Sequence, residues 1–564
     1  MSPHFTEELT DTFPANTGIM DGNGSIHTAS LPVRPLNGAT NGTNGASYYT
    51  NGASNGASNG ISNGIANGIA NGIPNGIANG HSGSSHKTSN LRPASPDCVH
   101  DLLCVGFGPA SLAIAVALHD GLDSHSLPHG TSPNVLFLEK QEQFAWHAGM
   151  LLPGAKMQIS FIKDMASLRD PRSHFTFLNY VHNAGRLVEF TNLSTFLPSR
   201  VEYEDYLRWC AGHFDNMVRY GQEVVSVSPE KESIQGAGGG TGPVQAFVVT
   251  SRDERGATTT YKARNVIMAT GGQASIPKCL PQLHPRVVHS SKYAHMVPKI
   301  LSDVNAPYRV AVVGAGQSAA EIFNNIQTLY PNSRTSLVMR QEFLKPSDDS
   351  PFVNSIFNPS FTDTIFGRPR DHRRSLIADT RATNYGVVRL ELIEHLYERM
   401  YDQHRELGPD ESRWPHRILG RHEVLGLEES SNIKQAPKLR VRPTDAEGRS
   451  DYDQLLDVDL VIVATGYHRD VHLDMLRDTW SLLPEKSSKV KRCDGWELQA
   501  DDGTTRAMEV SRDYKVKFGE GKTAPGSGVY LQGCCERTHG LSDTLLSVLA
   551  VRSGEIVDSI FGRA

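Results

Sequence analysis

Four short apolar runs stand out from a mixed polar background along the chain. They are Leu102 to Val105 in "DLLCVGFGPASL", Val135 to Leu138 in "NVLFLEK", Val310 to Val313 in "VAVVGAGQSAAEIF" and Leu337 to Met339 in "TSLVMRQ". Runs this short and this continuous predict strands buried on both faces of a sheet. The first and third run directly into a glycine turn, and apolar residues at helical spacing follow each turn. Strand, glycine turn, helix, strand is the pattern of a parallel β-α-β unit, and the chain carries it twice. Two further apolar strands, "ARNVIMATGG" (Ala263 to Gly272) and "DVDLVIVATGY" (Asp457 to Tyr467), each end in Ala-Thr-Gly. The fold class predicted is α/β, with two Rossmann-like dinucleotide-binding domains.

Between Asn37 and Gly80 the pattern vanishes into a four-residue cycle of Asn-Gly plus two small or branched residues. Such a segment buries too little apolar surface to offset the entropy of ordering it, so residues 1–95 are expected to form a disordered tail. Roughly 470 residues remain, enough for two or three domains. The net charge of −6 argues against a nucleic-acid binder. No apolar run approaches the length of a membrane-spanning helix, and the first residues lack the apolar stretch of a secretory signal. Seven cysteines in a chain of 564 residues make no disulfide framework, and no metal site is expected. These features together predict a cytoplasmic protein without nucleic-acid or membrane partners.

In the first turn, Gly106 permits the tight bend and Gly108 lets backbone N–H groups approach a pyrophosphate at the positive end of the following helix. Ser111 stands where a third glycine is usual and is small enough for helix and strand to pack. The next strand ends at Glu139, placed to bind ribose hydroxyls. The polar insert Asp120 to Pro133 that lengthens the gap reads as a surface loop. The nucleotide expected here is FAD, because this unit comes first and a second one follows. In the second turn, Gly314, Ala315, Gly316, Gln317 and Ser318 repeat the device, with Ala319 as the small third residue. The strand beyond it ends at Arg340 instead of a carboxylate. A carboxylate would repel a 2′-phosphate, whereas a guanidinium can pair with one, which points to NADPH.

A flavin facing NADPH serves several chemistries. A disulfide reductase needs a poised cysteine pair, normally Cys-x-x-Cys; none exists, and vicinal Cys534 and Cys535 read as core thiols. A non-enzymatic flavin scaffold has no need of the second nucleotide domain. Oxygen activation remains. Here the segments "KMQISFIKD" (Lys156 to Asp164), "HSSKY" (His289 to Tyr293), "DDSPFVNSIFNP" (Asp348 to Pro359), "TNYGVV" (Thr383 to Val388) and "HGLSDTLLS" (His539 to Ser547) carry a resemblance. Together with "ATGY" they resemble the flavin-dependent N-hydroxylating monooxygenases, above all the fungal L-ornithine N5-monooxygenases of hydroxamate siderophore synthesis. The likeness runs in order from about Cys98 to Ile560.

The resemblance implies NADPH- and O2-dependent hydroxylation of the ornithine side-chain amine through a flavin C4a oxygen adduct. Its alternative is lysine N6-hydroxylation or oxygenation of another small amine. It implies that FAD meets Glu139, Lys140, Trp146, His147, Gln158, Val224, Thr544, Leu545 and Leu546. NADPH would meet Ala315 to Ser318, Arg340, Asn384, Tyr385 and Gly386. Lys163, Asn354, Ser355, Ile356, Phe357, Asn384 and Ser547 would surround the amino acid, with Lys163, Asn354, Asn384 and Ser547 as the residues on which turnover depends. It further implies a homotetramer. The expected division is an FAD-binding domain from 96–297, completed by 470–564, and an NADPH-binding domain from 298–469. Read without the resemblance, Lys163 and Asp164 form a surface ion pair, Asn354 and Asn384 cap turns, and "SDTLLS" is a capped helix start.

Overall fold

The computed structural model describes Leu91, Pro93 and Ser95, then residues 97–127, 132–230, 242–429, 436–444, 452–486 and 493–562. Apart from those first three residues, the tail expected over residues 1–95 lies outside the described residues.

Each predicted β-α-β unit builds its own sheet. In the first, Val99–Val105 runs parallel between Val135–Leu138 and Thr258–Met268. The early half of Thr258–Met268 pairs antiparallel with Phe247–Arg252, and its late half parallel with Gly528–Leu531. The C-terminal segment therefore returns to complete the first sheet. In the second sheet, His416–Leu419, Arg334–Val338, Arg309–Val313, Leu460–Val463 and Val287–His289 lie side by side, all parallel. Leu102, Leu103, Cys104, Val312 and Ile462 are fully buried, as strands covered on both faces require. The strand Val287–His289 stands in this sheet although it precedes residue 298, where the sequence suggested that the second domain begins.

The two turns share one wiring. The N–H of Gly106 donates to Leu138 O at 2.8 Å, and that of Gly314 to Val338 O at 3.0 Å. The Ala-Thr-Gly strands close them from the other side. Ala269 donates to Val105 O at 2.9 Å, and Ala464 to Val313 O at 2.8 Å. Their carbonyl oxygens press on the glycines: a Cβ added at Gly106 would lie 2.6 Å from Ala269 O, and one at Gly314 2.5 Å from Ala464 O. Past each Ala-Thr-Gly the chain joins a two-stranded antiparallel ribbon, Gln273–Ala274 against Tyr467–His468, where it crosses between the sheets.

Two local expectations change. The first helix runs Pro109–Asp123, so the start of the segment read as a loop is helical. Ser542 and Asp543 cap no helix. They lie in the short 3-10 turn Leu541–Thr544, and the C-terminal helix starts only at Leu549. The buried Asp543 instead pairs with Arg552 at 2.9 Å and accepts the Cys535 N–H at 2.6 Å.

The glycines make a direct test. At Gly106, φ is +91° and a backbone carbonyl occupies the Cβ position. Gly106→Ala should cost about 2–5 kcal/mol, from the left-handed backbone and the overlap together. No atom lies within 4 Å of a Cβ at Gly108, so Gly108→Ala should change folding by less than about 1 kcal/mol. Denaturant titration of the two variants measures the difference.

Candidate active site

At the first turn, the helix Pro109–Asp123 starts at Gly108 with no side chain capping its N–H groups. With nothing occupying the space over Gly108, these donors form an open cradle for a pyrophosphate. Ser111 is fully buried between helix and strand, the role expected of a small third residue. Glu139 is buried, and its carboxylate accepts the N–H of Phe107 at 2.7 Å and of Gln141 at 2.9 Å. The acidic strand end is thus locked to the turn itself. Lys140 and Gln158 are exposed, whereas the Val224 side chain is in the core, so only its backbone can reach a ligand.

His147 is the most unusual residue of the segment Glu139 to His147. Its backbone is left-handed, φ +47°, although it carries a full side chain, a conformation that persists where surrounding structure imposes it. Its side chain keeps an exposed surface although protein crowds around it. It stands 5.3 Å from Trp146 and 5.8 Å from Tyr467, ring centre to ring centre. Desolvation, with Arg200 and Arg469 nearby, pushes its pKa down to about 4, so the imidazole is neutral.

The second turn repeats the cradle. Helix Gln317–Leu329 starts at Gly316 with no side-chain cap. Gly386 closes over it: a Cβ at Gly316 would lie 3.8 Å from Gly386 Cα. The Gln317 side chain is committed within the protein at both ends, donating to Glu321 Oε1 and accepting the Arg389 N–H, each at 2.9 Å. Only its backbone is left for a nucleotide. Arg340 is exposed just past the strand Arg334–Val338, the position from which a guanidinium can meet a 2′-phosphate.

The substrate candidates come from three places. Lys163 is half-buried, and desolvation lowers its pKa. Asp164 is not its partner. That carboxylate is buried and accepts the N–H groups of Ala166 at 2.9 Å, Ser167 at 2.6 Å and Phe177 at 2.7 Å, plus the Ser167 hydroxyl at 2.7 Å. The surface ion pair is therefore absent, and Asp164 shapes the loop while Lys163 keeps its ammonium free of it. Arg169, on the same segment, donates to Ala550 O at 3.0 Å, which ties this loop to the helix after buried Ser547.

Asn354 ends the helix Pro351–Asn354, and its Nδ2 donates to Asp349 O at 2.7 Å, leaving Oδ1 as an acceptor. The following turn, Ser355 to Phe357, packs on Leu541–Thr544. Exposed Ser355 returns its hydroxyl to Phe352 O at 2.6 Å, Ile356 is half-buried and Phe357 is buried. Asn384 directly follows the turn Arg381–Thr383, and neighbouring Tyr385 reaches the opposite side. Its hydroxyl donates to Glu536 Oε2 at 2.7 Å and lies 3.4 Å from Thr544 Oγ1. The Thr383 to Val388 segment thus touches both the second turn and the C-terminal segment that carries half-buried Thr544, Leu545 and Leu546. No hydrogen bond among the described residues joins Lys163 to Asn354 or Asn384.

Several residues of the site gave no signal by spacing. Glu536 is identifiable only through Tyr385. His289 binds Gly466 O through Nε2 at 3.0 Å and so joins "HSSKY" to "ATGY", two segments far apart in the chain.

Two sheets, the first mixed and the second all parallel, each presenting an uncapped helix at a glycine turn, with one loop reaching from the second turn to the C-terminal segment that completes the first sheet, define the class: an oxidoreductase with two Rossmann-type nucleotide sites. The chain belongs to the L-lysine 6-monooxygenase/L-ornithine 5-monooxygenase family, whose family model matches residues 98–469. It is 57% identical to L-ornithine N(5)-monooxygenase SIDA of Beauveria bassiana over 486 residues, which is 84% of this chain and 88% of that protein. It is 50% identical over 490 residues to the L-ornithine N(5)-monooxygenase of Cochliobolus heterostrophus, with the same shares covered, 84% and 88%. Among solved structures it resembles the ornithine hydroxylase PvdA from Pseudomonas aeruginosa at 35% identity and a TM-score of 0.69, covering 82% of this chain and 99% of that one. The ornithine N-hydroxylase KtzI of Kutzneria sp. 744, described with reduced FAD, NADP+ and L-ornithine, matches at 34% identity and 0.67, with the same coverage of 82% and 99%.

His539 supplies a pH test. It is buried, stacks on Tyr514 at 4.0 Å, and sits 3.1 Å from Arg512 O through Nε2. Desolvation lowers its pKa to about 4. In the unfolded chain the ring takes a proton near pH 6.5, and in the folded protein only near 4. Stability should therefore fall as pH drops through that window, by up to about 3 kcal/mol from this residue. Denaturation curves between pH 7 and 4.5 should flatten in His539→Gln relative to the unsubstituted protein.

Proposed function

We propose that this protein hydroxylates the side-chain amine of L-ornithine at N5, using NADPH and O2, as the first step of hydroxamate siderophore synthesis. The observation that carries the reading is a half-buried lysine, unpaired by its acidic neighbour, in a chain of this family with two nucleotide cradles. FAD would lie at the Gly106 turn, where the open cradle over Gly108 and the buried Glu139 fit a dinucleotide. NADPH would lie at the Gly314 turn beneath Gly386, with Arg340 on its 2′-phosphate. Bound FAD supplies the electron transfer and oxygen activation that no side chain provides. In this reading residues 298–469, together with the Val287–His289 strand, form the NADPH-binding domain. Residues up to the crossover ribbon and 470–564 form the FAD-binding domain. The reading includes a cytoplasmic homotetramer.

The chain's own task is to hold and deprotonate an amino acid. Lys163 would pair with the α-carboxylate, in surroundings that already penalise its unpaired charge. Asn354, its Nδ2 committed to Asp349 O, presents Oδ1 to the α-ammonium. Asn384 would complete the carboxylate's hydrogen bonds, and Ser547 would stand beside the side chain. Fixing both α-groups turns the site into a ruler for chain length, which separates ornithine from lysine although both end in the same amine. That amine must be neutral to react, and in water at pH 7 only roughly one in two thousand is. A largely enclosed site shifts that balance by disfavouring the charged form. Gly386 and Tyr385, spanning from the second turn to Glu536 and Thr544, would exclude water.

Two substitutions test the assignments. Arg340→Ala should weaken NADPH by roughly 1.5–3 kcal/mol, the worth of a charge-assisted contact, and NADH scarcely. Equal losses for both nucleotides would remove Arg340 from the phosphate. Lys163→Ala should raise the KM for ornithine by roughly thirty- to several-thousand-fold, as loss of a buried charge partner does. NADPH oxidation should continue, releasing peroxide while hydroxyornithine yield falls. A KM within about fivefold of the original, with tight coupling, would place Lys163 outside the site.

A further inference from the structure

One guanidinium joins segments that the sequence keeps far apart. Arg200 opens the helix Arg200–Gly212, which packs on the first-turn helix Pro109–Asp123. Its N–H donates to Ala155 O at 2.8 Å and its Nη1 to Met150 O at 2.9 Å, which fastens the loop that begins at His147. The same guanidinium meets Glu321 with two parallel bonds, Nη1 to Oε2 and Nη2 to Oε1, both 3.0 Å. Glu321 stands one turn into the helix Gln317–Leu329, and Gln317 Nε2 donates to it at 2.9 Å. Gln317 Oε1 accepts the N–H of Arg389 at 2.9 Å. Arg389 immediately follows the Thr383 to Val388 segment that carries Asn384, Tyr385 and Gly386. A continuous chain of hydrogen bonds therefore runs from the loop beside His147, through the helices Arg200–Gly212 and Gln317–Leu329, to the loop over the second turn.

We propose that Arg200, Glu321 and Gln317 form a positioning latch. It sets the orientation of the second-turn helix, and so of the nicotinamide, relative to the flavin, through these three side chains. The inference rests on the reading above that NADPH binds at the second turn. Three features support it. The pair is bidentate, which fixes angle as well as distance. Its side chains are only 13% and 10% exposed, so the loss of either partner strands a charge away from water. The covalent crossover is a ribbon of two residues per strand, and a two-stranded ribbon alone is a weak brace. Hydride transfer needs reacting atoms held about 3–3.5 Å apart, and a shift of about 1 Å can cost a hundredfold. Lysine in place of Arg200 offers one point charge and cannot make the paired bonds.

The test uses full-length, FAD-loaded protein. Arg200→Ala and Glu321→Gln are compared with the exchanged pair, Arg200→Glu with Glu321→Arg. Anaerobic reduction of the flavin by NADPH, without amino acid, should slow by roughly tenfold or more in each single variant at saturating NADPH, with FAD content kept. Amide hydrogen exchange should show faster exchange at Arg389 in both, and the exchanged pair should restore part of each effect. Unchanged reduction and unchanged protection at Arg389 in both single variants would overturn the latch. So would losses that follow melting temperature alone and are not restored by the exchange. If the unsubstituted protein is not reduced by NADPH, the nucleotide assignment fails; exchange at Arg389 then still decides whether the three residues act as one unit.

Discussion

Two backbone carbonyls, those of Ala269 and Ala464, rest where the side chains of Gly106 and Gly314 would be. This close approach is the constraint on which the rest of the structure depends. It lets each Ala-Thr-Gly strand lie directly beside the strand that enters the turn, and both helix N-termini stay free of side-chain caps. A methyl group at either glycine would push strand and turn apart. The repetition of the same wiring on two sheets explains why one chain offers two nucleotide cradles, and why the crossover ribbon begins just past each Ala-Thr-Gly.

Around these cradles, buried carboxylates organise loops, while Lys163 and Arg340 make no ion pair among the described residues. Glu139 is spent on Phe107 and Gln141, Asp164 on three N–H groups and a hydroxyl, and Asp543 on Cys535 and Arg552. Each takes the place of secondary structure where the chain must bend. Lys163 and Arg340 remain available. The helices between Asn354 and Asn384 are tied back to the C-terminal segment that completes the first sheet. Arg373 donates to Arg537 O at 3.0 Å and pairs with Asp494 at 2.9 Å, and Arg512 pairs with Asp363 at 2.6 Å. The stretch from Asn354 to Asn384 is therefore held against the C-terminal segment from both of its helices.

Much of this was legible in the chain. Continuous apolar strands, the glycine turns and the arginine in place of an acidic strand end are local signals, because each depends on residues a few positions apart. They determined the two α/β sheets and the two glycine turns, and the order of the longer motifs pointed to the family. The sequence also suggested a capped helix at Ser542 and Asp543 and an ion pair between Lys163 and Asp164. Both readings assumed that a polar residue finds its nearest neighbour.

Tertiary structure decided otherwise, for one physical reason: a buried charge is satisfied by whatever donors folding brings to it, irrespective of sequence distance. Asp164 took Phe177, Asp543 took Arg552, Tyr385 took Glu536, and Arg200 took Glu321. Only the fold showed that Val287–His289 belongs to the second sheet, since a three-residue apolar strand is assigned by its partners and not by its own pattern. The sequence by itself determined which residue types could hold nucleotides and an amino acid. The tertiary structure decided which were left free to do so.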